Sequence, residues 1–163
     1  MKYYISLGSN IGERKKNLDQ ALSLLKKNKV KIVKESSIYE TSPVGNKEQP
    51  WFLNQVLEIQ TELEPTAFLR MVQEIEKKIG RIQTVPKGPR CIDIDIILAE
   101  NRIVRTLKLI IPHSEMTKRN FVLVPLKEIA CEAVHPVLNK KIGDLLRKSK
   151  DESIVSLYVS AKK

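Results

Sequence analysis

Gly88-Pro89-Arg90-Cys91-Ile92-Asp93-Ile94-Asp95-Ile96-Ile97-Leu98 holds two aspartates inside an isoleucine-rich run that otherwise reads as a buried strand. Asp is depleted in strands and costly near a core, so chemistry is expected to hold it there. Side chains alternate along a strand, which puts Asp93 and Asp95 on one face, roughly 6.6 Å apart at the backbone, with Ile92, Ile94 and Ile96 pointing the other way. Two carboxylates at that spacing can converge on hard cations. Mg²⁺ takes one or two carboxylates plus substrate phosphates, and paired ions about 3.5–4 Å apart clamp a phosphoryl group in transfer. The plainer reading is the solvated face of an edge strand. Arg90, just upstream, favours an anion site.

Upstream of this strand the pattern alternates between periods. Residues 2–8 read as a first strand, ending at Gly8-Ser9-Asn10-Ile11-Gly12, where small and polar residues permit a tight turn. Leu18, Ala21, Leu22 and Leu25 recur at helical spacing and predict a helix over 13–28. Residues 30–39 and 52–63 read as two further strands joined by a loop from Glu40 to Pro50, long enough to suggest function. Pro65 suits the first turn of a second helix, Phe68, Leu69, Val72, Ile75 and Ile79 form its apolar stripe, and Gly80 fits just past its end. The irregular segment Arg81 to Pro89 then leads into the aspartate strand. The order βαββαβ predicts an α+β fold with a ferredoxin-like core, two helices packed on one face of an antiparallel sheet. Beyond it, 102–111 reads as extended, 112–119 as a loop or short helix, and Ser153 to Val159 as a possible added strand, so the core is expected to carry C-terminal additions.

The chain of 163 residues, 42% hydrophobic, suits one sizeable core, so residues 1–163 are expected to form a single domain. No apolar run approaches the ~18 residues of a membrane span, and Met1 to Gly8 is too short for a signal peptide, which together predict a soluble cytoplasmic protein. Cys91 and Cys131 lack metal-ligand spacing and are read as small core hydrophobes. The formal charge of +10 favours anionic partners without choosing among them, because much of it is Lys dispersed on helix faces. No Walker-type phosphate loop is present. The candidate anion binders are Arg81, Lys87, Arg90, Lys108, His113 and Arg119, which occupy the irregular segments flanking the aspartate strand. Phe52 and Phe121 are candidates to sandwich a planar heterocycle, or else core residues. His135 fits no functional position and is read as structural or surface.

Five blocks carry a closer likeness: Leu7 to Gly12, Ser37 to Gly45, Gln49 to Asn54, Gly88 to Asp95 and Ile111 to Phe121. In order, from residue 3 to about 146, they resemble the 6-hydroxymethyl-7,8-dihydropterin pyrophosphokinases of folate biosynthesis. The resemblance implies transfer of the β,γ-diphosphoryl group of ATP to the hydroxymethyl group of the dihydropterin, with release of AMP. It implies two Mg²⁺ ions held by Asp93 and Asp95, with Arg81 and Arg90 completing the catalytic set. The pterin residues it implies are Gly8, Thr41, Pro43, Val44, Phe52, Asn54 and Phe121, and the ATP residues Gln73, Arg81, Arg90, Lys108, His113 and Arg119. Expected partners are these two substrates, with no nucleic acid and no membrane, and the expected state is a monomer. Several positions depart from the family pattern: Lys87 stands where many members carry Trp, Gln83 and Lys108 replace Arg, Ile110 replaces Thr, Ser114 replaces Tyr, and the 81–90 loop is one residue shorter. Lys lacks the bidentate geometry of a guanidinium, so Lys108 predicts looser phosphate clamping.

Two other classes compete. An RNA-recognition module would need aromatics on a central strand, where this chain puts Asp93 and Asp95, which repel phosphate unless metal intervenes. A two-metal nucleotidyltransferase acting on nucleic acid is disfavoured by Asn54 and its flanking rings, which suit a small heterocycle.

Overall fold

A computed structural model describes residues 1–82 and 86–159. Its central strand is β1 (Lys2–Ser9), which pairs antiparallel on one side with β4 (Phe52–Gln60) and on the other with β5 (Asp93–Ala99). Two short strands lie end to end along the outer edge of β4: β2 (Lys31–Glu35) against its C-terminal half and β3 (Tyr39–Thr41) against its N-terminal half. The single strand expected over 30–39 is therefore two, and the strand expected over 52–63 ends at Gln60. Ser36 causes the break. Its N–H donates to the Val56 carbonyl and its hydroxyl accepts the Val56 N–H, both at 2.9 Å, so a side chain replaces one backbone partner and the strand kinks.

Helices α1 (Arg14–Lys27) and α2 (Pro65–Ile79) pack on one face of the sheet. Leu18, Ala21 and Leu25 of α1, and Phe68, Val72 and Ile75 of α2, meet Tyr3, Ile5, Leu7, Leu57 and Ile94 there. Burying each such side chain stabilises the fold by about 1.5–3 kcal/mol, and the Tyr3 and Phe68 rings lie 4.6 Å apart between centroids. Pro65 opens α2, and Gly80 closes it at φ 109°, a left-handed turn that glycine adopts without strain.

The opposite face is also covered, which the sequence pattern did not foretell. Two hairpins, β6 (Val104–Arg105) with β7 (Ile110–Ile111) and β8 (Val134–His135) with β9 (Lys140–Lys141), flank a 3₁₀ turn at Met116–Lys118 and a helix, α3 (Asn120–Ala130). With α4 (Ile142–Arg147), α3 buries Val122, Leu123, Leu126 and Leu145 against Tyr4, Val56, Ile97 and Leu98. Pro125 inside α3 removes a helical donor, and for that reason the segment does not read as a helix from sequence. The last strand, β10 (Val155–Leu157), pairs with β3, giving the sheet order β10-β3-β4-β1-β5.

Register decides where the site sits. Gly8 lies between Asn54 and Asp93, and Ser6 lies opposite Asp95. Alternation then puts Ser6, Gly8, Phe52, Asn54, Asp93 and Asp95 on the face that α3 covers further along, leaving this end of the sheet free to line a cleft. A register shift between Tyr4 and Ile5 turns Ile97 and Leu98 both toward α3. Cys91 and Cys131 are half-buried, and Cys91 packs against the core beneath α1 and α2. His135 is structural: it is buried, and its Nδ1 accepts the N–H groups of Val137 and Leu138.

Candidate active site

A cleft enclosing about 540 Å³, part of it open to solvent, lies over that end of the sheet. Its lining includes Gly8, Thr41, Val44, Phe52, Asn54 and Phe121 together with Arg90, Asp93, Asp95 and Arg119, so candidates scattered over more than 110 residues converge. Ser6, Ser42 and Lys87 line it as well. Ser6 follows from strand alternation with Gly8, a signal available in the sequence.

The heterocycle end is built around an oriented amide. Asn54 is buried and donates from Nδ2 to Thr41 Oγ1 at 2.6 Å, which leaves its second N–H and its Oδ1 for a ligand edge. A Cβ on Gly8 would sit 2.8 Å from Asn54 Oδ1 and 3.7 Å from Phe52 Cδ1, so only glycine lets the amide lie where it does. Phe52 and Phe121 both line the cleft, and each has a guanidinium over its ring: Arg90 at 5.1 Å from the Phe52 centroid and Arg119 at 5.6 Å from that of Phe121. Pro43 is buried and does not line the cleft. Trp51 is exposed, and its carbonyl accepts Arg14 Nη1 at 3.0 Å.

The polar end gathers charge. Arg81 Nη1 donates to Asp93 Oδ1 at 2.9 Å and also pairs with Glu76, while Arg90 Nε lies 3.4 Å from Asp93 Oδ2. Burial, and then the neighbouring Asp93 carboxylate, push the Asp95 carboxyl up to about 7. Glu76 was not foreseen. It projects from α2 into the sheet, accepts the Ile94 N–H at 3.0 Å, and is pushed up to about 7 by burial against the opposing pull of that N–H and of Arg81. A carboxylate four residues after Val72 and three before Ile79, on the apolar stripe of α2, was the available signal.

Among the described residues no group of three or more His, Cys, Asp or Glu side chains could hold a metal. Asp93 and Asp95 fit a magnesium ion for a different reason. They are two like charges crowded on one sheet face, which a divalent cation would relieve, and phosphate oxygens and water complete the shell that Mg²⁺ prefers.

A second cleft lies along the outer edge of β5 and shares Asp95 with the first. Leu69, Ile96, Leu107 and Ile110 supply apolar walls, and Lys108, His113 and Ser114 supply polar ones. Burial first, and then Arg119, hold the His113 imidazole below its ordinary range, so it is neutral at pH 7, and its Nδ1 accepts the Glu115 N–H at 3.1 Å. Gln73 lines neither cleft; it is exposed on α2, at helical spacing between Leu69 and Glu76. Gln83 lies outside the described residues.

The loops around the first cleft are bolted together by buried amides. Asn10 Nδ2 donates to Gln49 Oε1 at 2.8 Å, Asn10 Oδ1 accepts the Arg90 N–H at 2.8 Å, and Gln49 Nε2 donates to the Lys87 carbonyl at 2.8 Å. These bonds set the approach of Arg90 to the cleft.

Three comparisons bear on this arrangement. A family model described as 7,8-dihydro-6-hydroxymethylpterin-pyrophosphokinase (HPPK) matches residues 4–131. A 2-amino-4-hydroxy-6-hydroxymethyldihydropteridine pyrophosphokinase of Bacillus subtilis is 48% identical over 132 residues, 80% of this chain and 78% of that protein. One of Haemophilus influenzae is 37% identical over 155 residues, 94% of this chain and 96% of that protein. The folic acid synthesis protein fol1 of Pneumocystis carinii is 42% identical over 151 residues, 93% of this chain, and the chain spans 20% of its length. The crystal structure of wild-type Plasmodium falciparum HPPK-DHPS with pteroate superposes with a TM-score of 0.73 at 17% identity, covering 90% of this chain and 42% of that one, a likeness of fold.

Proposed function

The chain belongs to the 7,8-dihydro-6-hydroxymethylpterin-pyrophosphokinase family, and on that premise we propose that it transfers the β,γ-diphosphoryl group of ATP to the hydroxymethyl group of 6-hydroxymethyl-7,8-dihydropterin, releasing AMP. The observation that carries this reading is the union, in one cleft, of an oriented amide, two phenyl rings and a pair of aspartates with arginines beside them.

Phosphoryl transfer asks little covalent chemistry of a protein, so positioning and charge neutralisation carry most of the rate. Asn54, oriented by Thr41, reads the pterin edge, and Phe52 and Phe121 hold its ring flat between them. Gly8 and Val44 shape the wall, largely through backbone groups, with Pro43 buried behind it. The hydroxymethyl oxygen then points at the aspartate end and attacks the β-phosphorus, while the bond from that phosphorus to the α–β bridging oxygen breaks and AMP leaves. Two Mg²⁺ ions, held by Asp93 and Asp95, would neutralise the triphosphate and make the hydroxymethyl group more acidic. Arg81 and Arg90 turn from their carboxylate partners to pair with the phosphates and, with Arg119, exclude the water that would hydrolyse ATP. Asp95 takes the hydroxyl proton. The nucleotide occupies the second cleft, with Lys108 and His113 toward the phosphates; Gln73, exposed on α2 outside that lining, is left without a contact to it.

The succession β1, α1, β2, β4, α2, β5 supports reading the core as ferredoxin-like, with residues 1–163 as one domain and the rest as C-terminal additions. We take the active species to be a cytoplasmic monomer; among the described residues no helix is long and apolar enough to cross a membrane. Helices on both sheet faces argue against single-stranded RNA stacking on the sheet. The test is to incubate the protein with ATP, Mg²⁺ and the hydroxymethyldihydropterin and assay AMP. Release that requires the pterin and stops on chelation is expected; AMP release indifferent to the pterin defeats the proposal.

A further inference from the structure

We propose that Asp151, in the C-terminal tail, is a positioning residue for the pterin cleft, tying the wall that bears Phe121 to the facing wall of Thr41 and Ser42. The claim deepens the pterin reading of that cleft and rests on it. Asp151 lies beyond residue 131, where the match to the family model ends, so that match assigns it nothing.

The argument starts at the first turn of α3. Its own N-cap residue, Arg119, offers no side-chain cap. Asp151 supplies one from 31 residues away: its Oδ2 accepts the Asn120 N–H at 2.7 Å, and its carbonyl accepts Asn120 Nδ2 at 3.1 Å. A carboxylate at this end of a helix is favoured both by the unpaired N–H groups and by the macrodipole. The carboxylate is itself held, accepting the Ser153 N–H at 2.9 Å and the Ser153 hydroxyl at 2.8 Å. The residue after Asn120 is Phe121.

Three residues beyond Asp151 the tail reaches the other wall. The Ile154 N–H donates to Ser42 Oγ at 2.8 Å, the Ser42 N–H donates to the Ile154 carbonyl at 3.0 Å, and Val155 pairs with Thr41. Three extended residues span at most about 11 Å, so the tail is a tie of fixed length between the two sides of the cleft. Asp93 and Asp95 stand on β5, which β10 does not touch in the sheet order. Loss of the tie therefore loosens the grip on the pterin ring and leaves Asp93 and Asp95 in place.

Steady-state AMP release is to be measured for wild type, Asp151→Ala, Asp151→Asn, Ser153→Ala and Ala21→Gly, the last destabilising α1 far from the cleft. Asp151→Ala is expected to raise KM for the pterin about tenfold, the fold-change that about 1.4 kcal/mol produces, with kcat and KM for ATP within about twofold. Asn is as good a cap as Asp, so Asp151→Asn restores KM to within about threefold of wild type. Ser153→Ala shifts it in the same direction by less. A wild-type pterin KM in Asp151→Ala overturns the proposal, as does an equal rise in Ala21→Gly at matched thermal stability. Should Asp151→Ala not fold, an unchanged pterin KM in Ser153→Ala overturns it instead. Amide hydrogen exchange gives a readout that needs no activity: Ser153→Ala is expected to lower protection at both Asn120 and Ser42, and a loss confined to Asn120 defeats the tie. A wild type that releases no pterin-dependent AMP fails the functional reading, and the exchange result then decides the tie by itself.

Discussion

Gly8 and Asn54 face each other across β1 and β4, and the first has no side chain so that the second can keep its place. Gly8→Ala would press its Cβ against an amide that Thr41 prevents from turning. Such overpacking costs about 1–3 kcal/mol, so KM for the pterin is expected to rise tenfold or more and Tm to fall; an unchanged KM would remove Asn54 from pterin recognition. Asp95 carries the opposite kind of tension. Its carboxyl is pushed up to about 7, far above the ordinary range, so without metal the folded state favours the protonated form. Stability from this group is fully present below about pH 4 and is lost as pH rises through about 7. Asp95→Asn is therefore expected to melt at or above wild type in chelator at pH 8, to match it at or below about pH 4 apart from other groups, and to lose activity roughly 10³-fold. Normal turnover in that variant would also end the role of Asp95 as proton acceptor. The two aspartates were legible from the strand pattern. That Arg81 is shared between Asp93 and Glu76 was not, because a carboxylate on an otherwise apolar helical stripe does not announce what it meets.

Among the elements, α3 carries the consequence. Its far end is fastened by Glu128, which accepts Tyr39 OH at 2.7 Å and the Ser37 hydroxyl at 2.8 Å, along with the Ser37 N–H. Burial alone would raise this carboxyl, but the hydrogen bonds from Tyr39 and Ser37 outweigh it and hold it below its ordinary range. Its contribution to stability is thus present above about pH 4.5 and lost as pH falls through the lower folded value. Glu128→Gln is expected to lower Tm by about 2–4 °C at pH 7. That gap should narrow as pH falls below about 4.5, and one that stays constant with pH would assign the effect to packing instead. The same contact explains why the strand expected over 30–39 divides: Ser36 turns the chain and Ser37 is drawn to α3. Periodicity made α1 and α2 legible to within a residue or two. It was silent on α3, where Pro125 interrupts the pattern, and on the hairpins, which are too short to show one.

Across the whole molecule, two helical layers enclose a sheet whose open end holds the site, and a net charge of +10 draws anionic ligands toward it. Each substrate bound at about 100-fold its dissociation constant should add roughly 2.7 kcal/mol, so the two together raise Tm on the order of 10–20 °C. With a non-hydrolysable ATP analogue, the full rise is expected only when Mg²⁺ and the pterin are both present; a rise indifferent to Mg²⁺ would count against the paired aspartates as its ligands. By itself the sequence determined the aspartate pair on one strand face, the two amphipathic helices and the strands they cover, since periods of 2 and 3.6 are local properties of a chain. Tertiary structure alone decided that α3 closes the second face, that Glu76 reaches Arg81, and that the tail spans the cleft. Those contacts join residues such as Asn10 and Arg90, 80 positions apart, or Ser42 and Ile154, 112 apart, whose meeting follows from burial and backbone pairing over the whole fold and leaves no local pattern to read.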